Sequence, residues 1–369
     1  MKMLREKKLL GIDVRDLEEG WAGRKRYTES LLRALSMVDE VNEYILFSRR
    51  RGDFGLAENF RTVSIDTTPA FWHYKVAQFC REKGIDIYIS PRSPITISLL
   101  RNKTIYVVHD LIVFTSEGRR LPLKSRIVEK VFMRKALRRA DLIVAVSENT
   151  KRDILHHVNL PEEKVKVIYE APAPIFRRMK PDHSILSRYD LRKNFILYVG
   201  TVEPRKNLKL LVDAYKMLPG SVRDEFMLVF VGKKGWGYGE VLKYADENLG
   251  AHYFRFLGYV PDEDLVHIYN AAHIFVYPSF YEGFGLPVLE AMSCGVPVVV
   301  SRVSSLPEIV GDSGILIDPS NAYELETALE RLLDNEELRR ELSTRALKRS
   351  LDFSWEKAAR KFVELYSAL

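Results

Sequence analysis

The sequence predicts an α/β protein built from two doubly wound parallel sheets, and three observations predict it. Short apolar, β-branched runs alternate with amphipathic helical stretches along almost the whole chain. Seven such runs precede residue 170 and six follow it. Between the two sets lies Glu170–Asp182, EAPAPIFRRMKPD, whose three prolines remove backbone donors and favour extended chain.

The first set of predicted strands comprises Leu9–Val14, Tyr44–Phe47, Thr62–Ile65, Ile85–Ile89, Thr104–Val108, Leu142–Val146 and Val165–Ile168. The second comprises Phe195–Val199, Met227–Val231, Tyr253–Leu257, His273–Tyr277, Val296–Val300 and Gly314–Ile317. Near-continuous hydrophobic strands separated by helices suit a parallel sheet covered on both faces, because neither face meets water. After Pro319 the chain reads as helical, with a break at Leu351–Ser354 ahead of a last amphipathic helix, Trp355–Ala368. The expected domains are residues 1–175 and 176–352, followed by the helix 353–369. In such folds ligands bind at the carboxyl ends of the strands.

At 369 residues the chain has room for two domains of ordinary size. With 46% hydrophobic and 29% charged residues, 20 Gly and 16 Pro, it is not collagenous, disordered or of low complexity. The net charge of +7 hides a split: residues 1–180 carry 35 Lys+Arg against 23 Asp+Glu, net +12, whereas the remainder carries 22 against 27, net −5. That asymmetry points to an anionic partner, nucleic acid or a membrane surface, for the first half. Cys80 and Cys294 are the two cysteines, so a disulfide framework is excluded and a reducing compartment fits. The N-terminal MKMLREKKLLGIDVRD lacks a signal peptide's apolar stretch, and no run of 18 apolar residues occurs. The expected location is the cytoplasm.

Two segments carry the chemistry. In FILYVGTVEPRKNLKLLVDAYKML a strand runs into Gly200 and Pro204 opens a helix, placing Arg205 and Lys206 at its start. Cations oppose the helix dipole there unless an anion sits in front of them. The pair reads as a phosphate or diphosphate clamp, or as two solvated side chains turned away from the helix end. In YPSFYEGFGLPVLEAMSCGVP a strand ends at Tyr277, a loop carries Gly283 and Gly285, and Pro287 opens a short helix ending near Gly295. The glycines allow close backbone approach, and the free N–H groups of the helix start attract anions. Glu282 and Glu290 are carboxylates able to accept from sugar or ribose hydroxyls. Taken singly, each equally suits a surface carboxylate.

Glu282-Gly-Phe-Gly-Leu-Pro-Val-Leu-Glu290 is an E-x7-E motif, and together with GTVEPRKN it resembles the retaining GT-B glycosyltransferases of family GT4. The resemblance extends to Gly20-Trp-Ala-Gly23-Arg-Lys-Arg-Tyr27, Val108-His109-Asp110, Ser147-Glu-Asn-Thr150 and SSLPEIVGDSGILIDP from Ser304, nearly the whole chain. It implies two Rossmann-like domains facing a cleft, acceptor on the N-terminal side and nucleotide sugar on the C-terminal side. The last helix would cross back to the first domain. Arg205 and Lys206 would hold the donor diphosphate and Glu290 the ribose. Glu282, with the N–H groups of Gly283, Phe284 and Gly285, would hold the transferred sugar and a phosphate. Gly23 would face the diphosphate from the first domain, and His109 would lie near the sugar. His109 and Glu282 are thus the candidate catalytic residues. Trp21 and Ala22 stand between Gly20 and Gly23, so two adjacent glycines seen in some relatives are missing.

The implied reaction is metal-independent, retaining transfer of a hexosyl group to a glycan or lipid-linked hydroxyl, with the nucleotide-sugar donor and no further cofactor. GIDVRDL, VVHDLIVF and GTVEPRKNL look like bacterial mannosyltransferases of surface glycans, which makes GDP-mannose the expected donor. A UDP-sugar transferase and a GT-B sugar-nucleotide epimerase are the alternatives. Asp262-Glu-Asp264 reads as an acidic helix start, not a metal site. Gly235-Trp-Gly-Tyr-Gly239 lacks dinucleotide and P-loop spacing, and His156-His157 lacks companion ligands. Residues 119–139 hold nine Lys/Arg against Glu129, with an apolar stripe of Leu123, Ile127, Val131 and Leu137 or Phe132. Such a helix either lies peripherally on an anionic inner membrane face or is a solvated helix packed on its domain. Nucleic acid is not expected, for want of a motif and of stacking aromatics.

Overall fold

The computed structural model describes residues 6–19, 22–50, 52–116, 118 and 123–369. Arg119 and Arg120 lie outside them. The chain divides into two compact units, Met1–Glu170 with Ser354–Leu369, and Ala171–Phe353.

The first unit holds β1 (Leu9–Asp13), β2 (Glu43–Ser48), β3 (Phe60–Ser64), β4 (Ile87–Ser90), β5 (Lys103–Val108), β6 (Leu142–Ala145) and β7 (Val165–Val167). They pair in parallel in the order β3-β2-β1-β4-β5-β6-β7. The second unit holds β8 (Asn194–Val199), β9 (Phe226–Val231), β10 (Phe254–Gly258), β11 (Ile274–Tyr277), β12 (Val298–Ser301) and β13 (Ile315–Ile317). Their order is β10-β9-β8-β11-β12-β13, again parallel. All six residues of β9 and all four of β11 are buried, which is why those stretches read as unbroken apolar runs. In each sheet the order reverses at one point, β1/β4 and β8/β11, where the crossovers diverge and the carboxyl ends open a crevice.

One face of the first sheet packs on the helices Pro69–Glu82, Pro94–Leu99, Leu123–Arg139 and Glu148–His157 through Trp72, Val76, Ile97, Met133, Leu137 and Ile154. Leu137 is therefore core. Ile127 and Val131 lie on the exposed side, so the apolar stripe read from the sequence is divided between two faces of one helix. The helix Trp355–Ser367, capped by Ser354, packs in this unit against the helix Ala22–Val38 and buries Trp355, Phe362, Val363 and Tyr366. Tyr366 Oη donates to Asp39 at 2.5 Å and lies 2.5 Å from Tyr44 Oη, which also donates to that carboxylate.

Both cysteines are buried and free. Asp262 begins the helix Asp262–Ala271, and Asp264 accepts from Arg188 at 2.8 Å and Tyr189 at 2.7 Å. Its carboxylate is thus engaged within the fold. Among the described residues no group of three or more His, Cys, Asp or Glu is placed to hold a metal ion, and no helix is long and apolar enough to cross a membrane.

Candidate active site

In the second unit the site is built where β8 and β11 end. Gly232 follows β9 at φ +145°, and a Cβ there would sit 1.9 Å from the carbonyl oxygen of Gly200, so only glycine lets these two strand ends approach. Beyond Gly200 the chain does not enter the helix directly. Pro204–Lys206 forms a separate 3-10 turn, and the helix Leu208–Met217 starts only after Asn207, at φ 57° and ψ 36°. The sequence reading of Arg205 and Lys206 as a helix first turn is corrected here. Asn207 Nδ2 donates to the carbonyls of Pro278 (3.1 Å) and Pro319 (2.7 Å), and these bonds fix its left-handed backbone.

The turn aims both cations at one carboxylate. Lys206 Nζ, buried, donates to Glu282 Oε1 at 2.5 Å and to Tyr277 Oη at 2.7 Å. Arg205 Nη1 donates to the Tyr281 carbonyl at 3.1 Å and to Glu282 Oε2 at 3.3 Å, while its Nε pairs with Glu203. Burial pushes the Glu282 carboxyl up, but Lys206 and Arg205 outweigh it and hold Glu282 below the usual carboxylate range. The Glu282 backbone is bracketed: its N–H donates to Ser304 Oγ at 3.0 Å, and Ser305 Oγ donates to the carbonyls of Glu282 (3.1 Å) and Phe284 (2.7 Å).

Gly283, Phe284 and Gly285 follow at once. Gly285, at φ +115°, caps the helix Leu286–Ser293, and a Cβ there would meet Leu306 at 2.9 Å. Pro287 has no N–H and Val288 already donates to the Gly285 carbonyl at 2.9 Å, so the N–H groups in front of that helix are those of Leu286 and the loop before it, where the helix dipole favours an anion. One turn further in, the buried Glu290 accepts from Tyr269 Oη at 2.9 Å. Arg205, Lys206 and Glu282 are thus in direct contact, Gly283–Gly285 leads from them, and Glu290 lies on the helix that this loop opens.

His109 and Gly23 belong to the first unit. His109 follows β5; its Nδ1 lies 3.1 Å from Glu170 Oε1, its Nε2 lies 3.0 Å from the Pro91 carbonyl, and Tyr27 packs edge-on at 4.6 Å. A carbonyl only accepts, so Nε2 carries a hydrogen. Gly23 is the second residue of the helix Ala22–Val38, exposed, and a Cβ there would meet nothing within 4 Å. At β1's end, Asp16 is fully buried, with Oδ1 accepting from Arg92 at 3.0 Å and Oδ2 unpartnered. Burial raises its pKa against the opposing pull of Arg24 and Arg92.

Sequence reasoning missed Glu203, Tyr277, Ser304, Glu170 and Asp16. Glu203 alone left a signal, an acid two positions before Arg205. The others reach their partners over tens of residues.

Residues 184–349 match the family described as glycosyl transferases group 1, and residues 23–171 match glycosyltransferase family 4. The chain is 37% identical over 286 residues to the O-antigen chain mannosyltransferase B of Escherichia coli, covering 77% of this chain and 74% of that protein. It is 32% identical over 275 residues to the serotype-specific mannosyltransferase WbdA of the same organism, covering 72% of this chain and 34% of that longer protein. Among solved structures, sucrose-phosphate synthase from Thermosynechococcus elongatus superposes with a TM-score of 0.81 at 21% identity, over 98% of both chains. Anabaena HepE in complex with UDP-glucose does so with a TM-score of 0.79 at 19% identity, over 99% of this chain and 100% of that one. These two show a shared fold. The family matches and the first relative show more: the chain belongs to the group 1 glycosyltransferases of family GT4, enzymes that transfer a hexosyl group on a GT-B scaffold.

Proposed function

We propose that this enzyme transfers mannose from GDP-mannose to a hydroxyl of a glycan or lipid-linked acceptor, with retention and without a metal ion. The observation that carries this reading is the contact of Arg205 and Lys206 with Glu282 at the β8/β11 switch point. A diphosphate has the charge and the oxygens to take the carboxylate's place beside both cations. Glu282 is then released toward the hydroxyls of the transferred sugar, and Glu290 takes the ribose. The mannosyl assignment is supported by the names of the two Escherichia coli relatives.

In the reaction the bond between the anomeric carbon and the diphosphate oxygen breaks, and the diphosphate keeps the electron pair. The acceptor oxygen bonds to the same face of the anomeric carbon, and its proton passes to the departing phosphate oxygen. Arg205, Lys206 and the start of the helix Leu286–Ser293 stabilise the leaving charge, which is the largest expected contribution to catalysis. These groups supply positive charge in place, so a chelator should leave the rate unchanged. His109 is the second residue we propose as catalytic.

A second donor class has its own observation: HepE, alike in fold, is seen with UDP-glucose. The experiment is donor hydrolysis and transfer by the purified enzyme across GDP-mannose and UDP-sugars, with the product's anomeric configuration read by NMR. Turnover of UDP-sugars alone would replace the donor, and an inverted product would sink the same-face mechanism.

A further inference from the structure

The helices Pro69–Glu82, Pro94–Leu99 and Leu123–Arg139 stand side by side on one face of the first sheet, the short one touching both neighbours. Their outer sides therefore point away from that sheet together. Among the described residues of this unit eight large hydrophobic side chains are exposed, and six lie on this row: Phe71, Tyr74, Leu99, Ile127, Val128 and Val131, between 47 and 63% exposed.

The outward face of Leu123–Arg139 is well defined. Lys124, Ile127, Val128, Val131, Arg134, Lys135 and Arg138 are exposed at spacings of three and four, whereas Met133, Ala136 and Leu137 are buried opposite. A helix whose outer side met only water would carry polar residues at 127, 128 and 131. Here three branched aliphatics stand at its centre, with cations at both ends. Lys75 is exposed beside Phe71 and Tyr74 on the first helix of the row.

We propose that this three-helix face docks on an anionic lipid surface. Phe71, Tyr74, Leu99, Ile127, Val128 and Val131 enter the headgroup boundary, and Lys75, Lys124, Lys135 and Arg138 meet lipid phosphates. Charge complementarity selects this occupant: the apolar patch is rimmed by cations on two of its three helices, as an interfacial amphipathic surface is. Aromatic side chains at its edge suit the boundary, where one end is apolar and the other wet. The inference does not depend on which nucleotide sugar is the donor.

The test is co-sedimentation of the full chain with phosphatidylcholine vesicles, with and without phosphatidylglycerol. Three variants accompany it: Lys124→Gln with Lys135→Gln and Arg138→Gln; Ile127→Ser with Val128→Ser and Val131→Ser; and Phe71→Ser with Tyr74→Ser. The wild type should bind only vesicles containing phosphatidylglycerol and be released by salt. The charge variant should lose about a hundredfold in partitioning, at one elementary charge per lipid phosphate contact. Each apolar variant should bind at least about tenfold more weakly. Thermal stabilisation by GDP and UDP should be unchanged in all three, which separates loss of docking from loss of fold or of nucleotide binding. Sedimentation of the wild type without phosphatidylglycerol, or equal sedimentation of wild type and variants, overturns the proposal. So does a dimer in light scattering that the apolar substitutions dissociate, because the face would then belong to a second copy.

Discussion

Lys206 Nζ lies 2.5 Å from Glu282 Oε1, the shorter half of a fork in which Arg205 holds the other carboxylate oxygen at 3.3 Å. A buried lysine in such a pair is left uncompensated if its carboxylate is removed. Glu282→Ala should therefore lower stability by about 3 kcal/mol. A saturating nucleoside diphosphate should raise the variant's Tm by more than it raises the wild type's, since it restores the missing negative charge. A variant as stable as wild type would show that the pair contributes nothing to the fold.

Arg205 presents a planar fork, and its Nη1 already reaches across to Glu282 and the Tyr281 carbonyl. Arg205→Ala should weaken GDP binding by at least about tenfold and guanosine binding hardly at all. Arg205→Lys should restore little, because an ammonium lacks the planar fork that presents two parallel N–H groups to a phosphate. Calorimetric titration with GDP and guanosine makes the comparison, and equal losses for both ligands would contradict the clamp.

Glu290 is buried on the helix that Gly285 opens, and Tyr269 holds one of its oxygens at 2.9 Å. If the other side of that carboxylate meets the ribose, Glu290→Ala should cost about tenfold or more in affinity for GDP. The same substitution should matter much less for a 2′,3′-dideoxy analogue. A fall of the same size for both would assign Glu290 to the fold alone.

Glu170 stands 61 residues from His109 in sequence and 3.1 Å from its Nδ1. Glu170→Ala leaves the ring tethered by Nε2 alone. The expected result is a fall in kcat of about tenfold or more, with GDP affinity unchanged, because Arg205, Lys206 and Glu290, the groups proposed to hold the nucleotide, lie in the other unit. Unchanged kcat would make the pair structural only.

The buried Asp39 contributes to the acid sensitivity of the first unit. Burial alone pushes its carboxyl up, but hydrogen bonds from Tyr366, Tyr44 and Asn42 outweigh that and hold it below its ordinary value. A depressed folded-state pKa contributes stability above the unfolded value, near about 3.9, that is lost as pH falls through the folded value. Tyr366→Phe should cost about 2 kcal/mol at neutral pH. It should also shrink this acid-linked loss in thermal unfolding as pH falls below about 4.

Most of the fold was legible because buried parallel strands leave no room for polar residues: FMLVFV and IFVY read as strands from composition alone. The chemistry of Arg205, Lys206 and Glu282 was legible in their type and in the glycines beside them. Their mutual contact was not. It depends on Asn207, held by carbonyls 71 and 112 residues away, which turns the chain once before the helix begins. No local pattern announces such a bond. The helix Leu123–Arg139 read as carrying one apolar stripe, whereas its aliphatics fall on two faces, and only packing shows which one meets the sheet.

The last helix carries a consequence for how the molecule is made. Residues 354–369 complete the unit begun by residues 1–170, and the whole of the second unit lies between them in the chain. On a ribosome, where domains fold as they emerge, the second unit has all its residues before the first does. The earlier-made sheet must keep the seat of Trp355, Phe362 and Tyr366 open until the final turns of helix arrive. Of the two units, the one whose synthesis starts earlier is thus the one completed later.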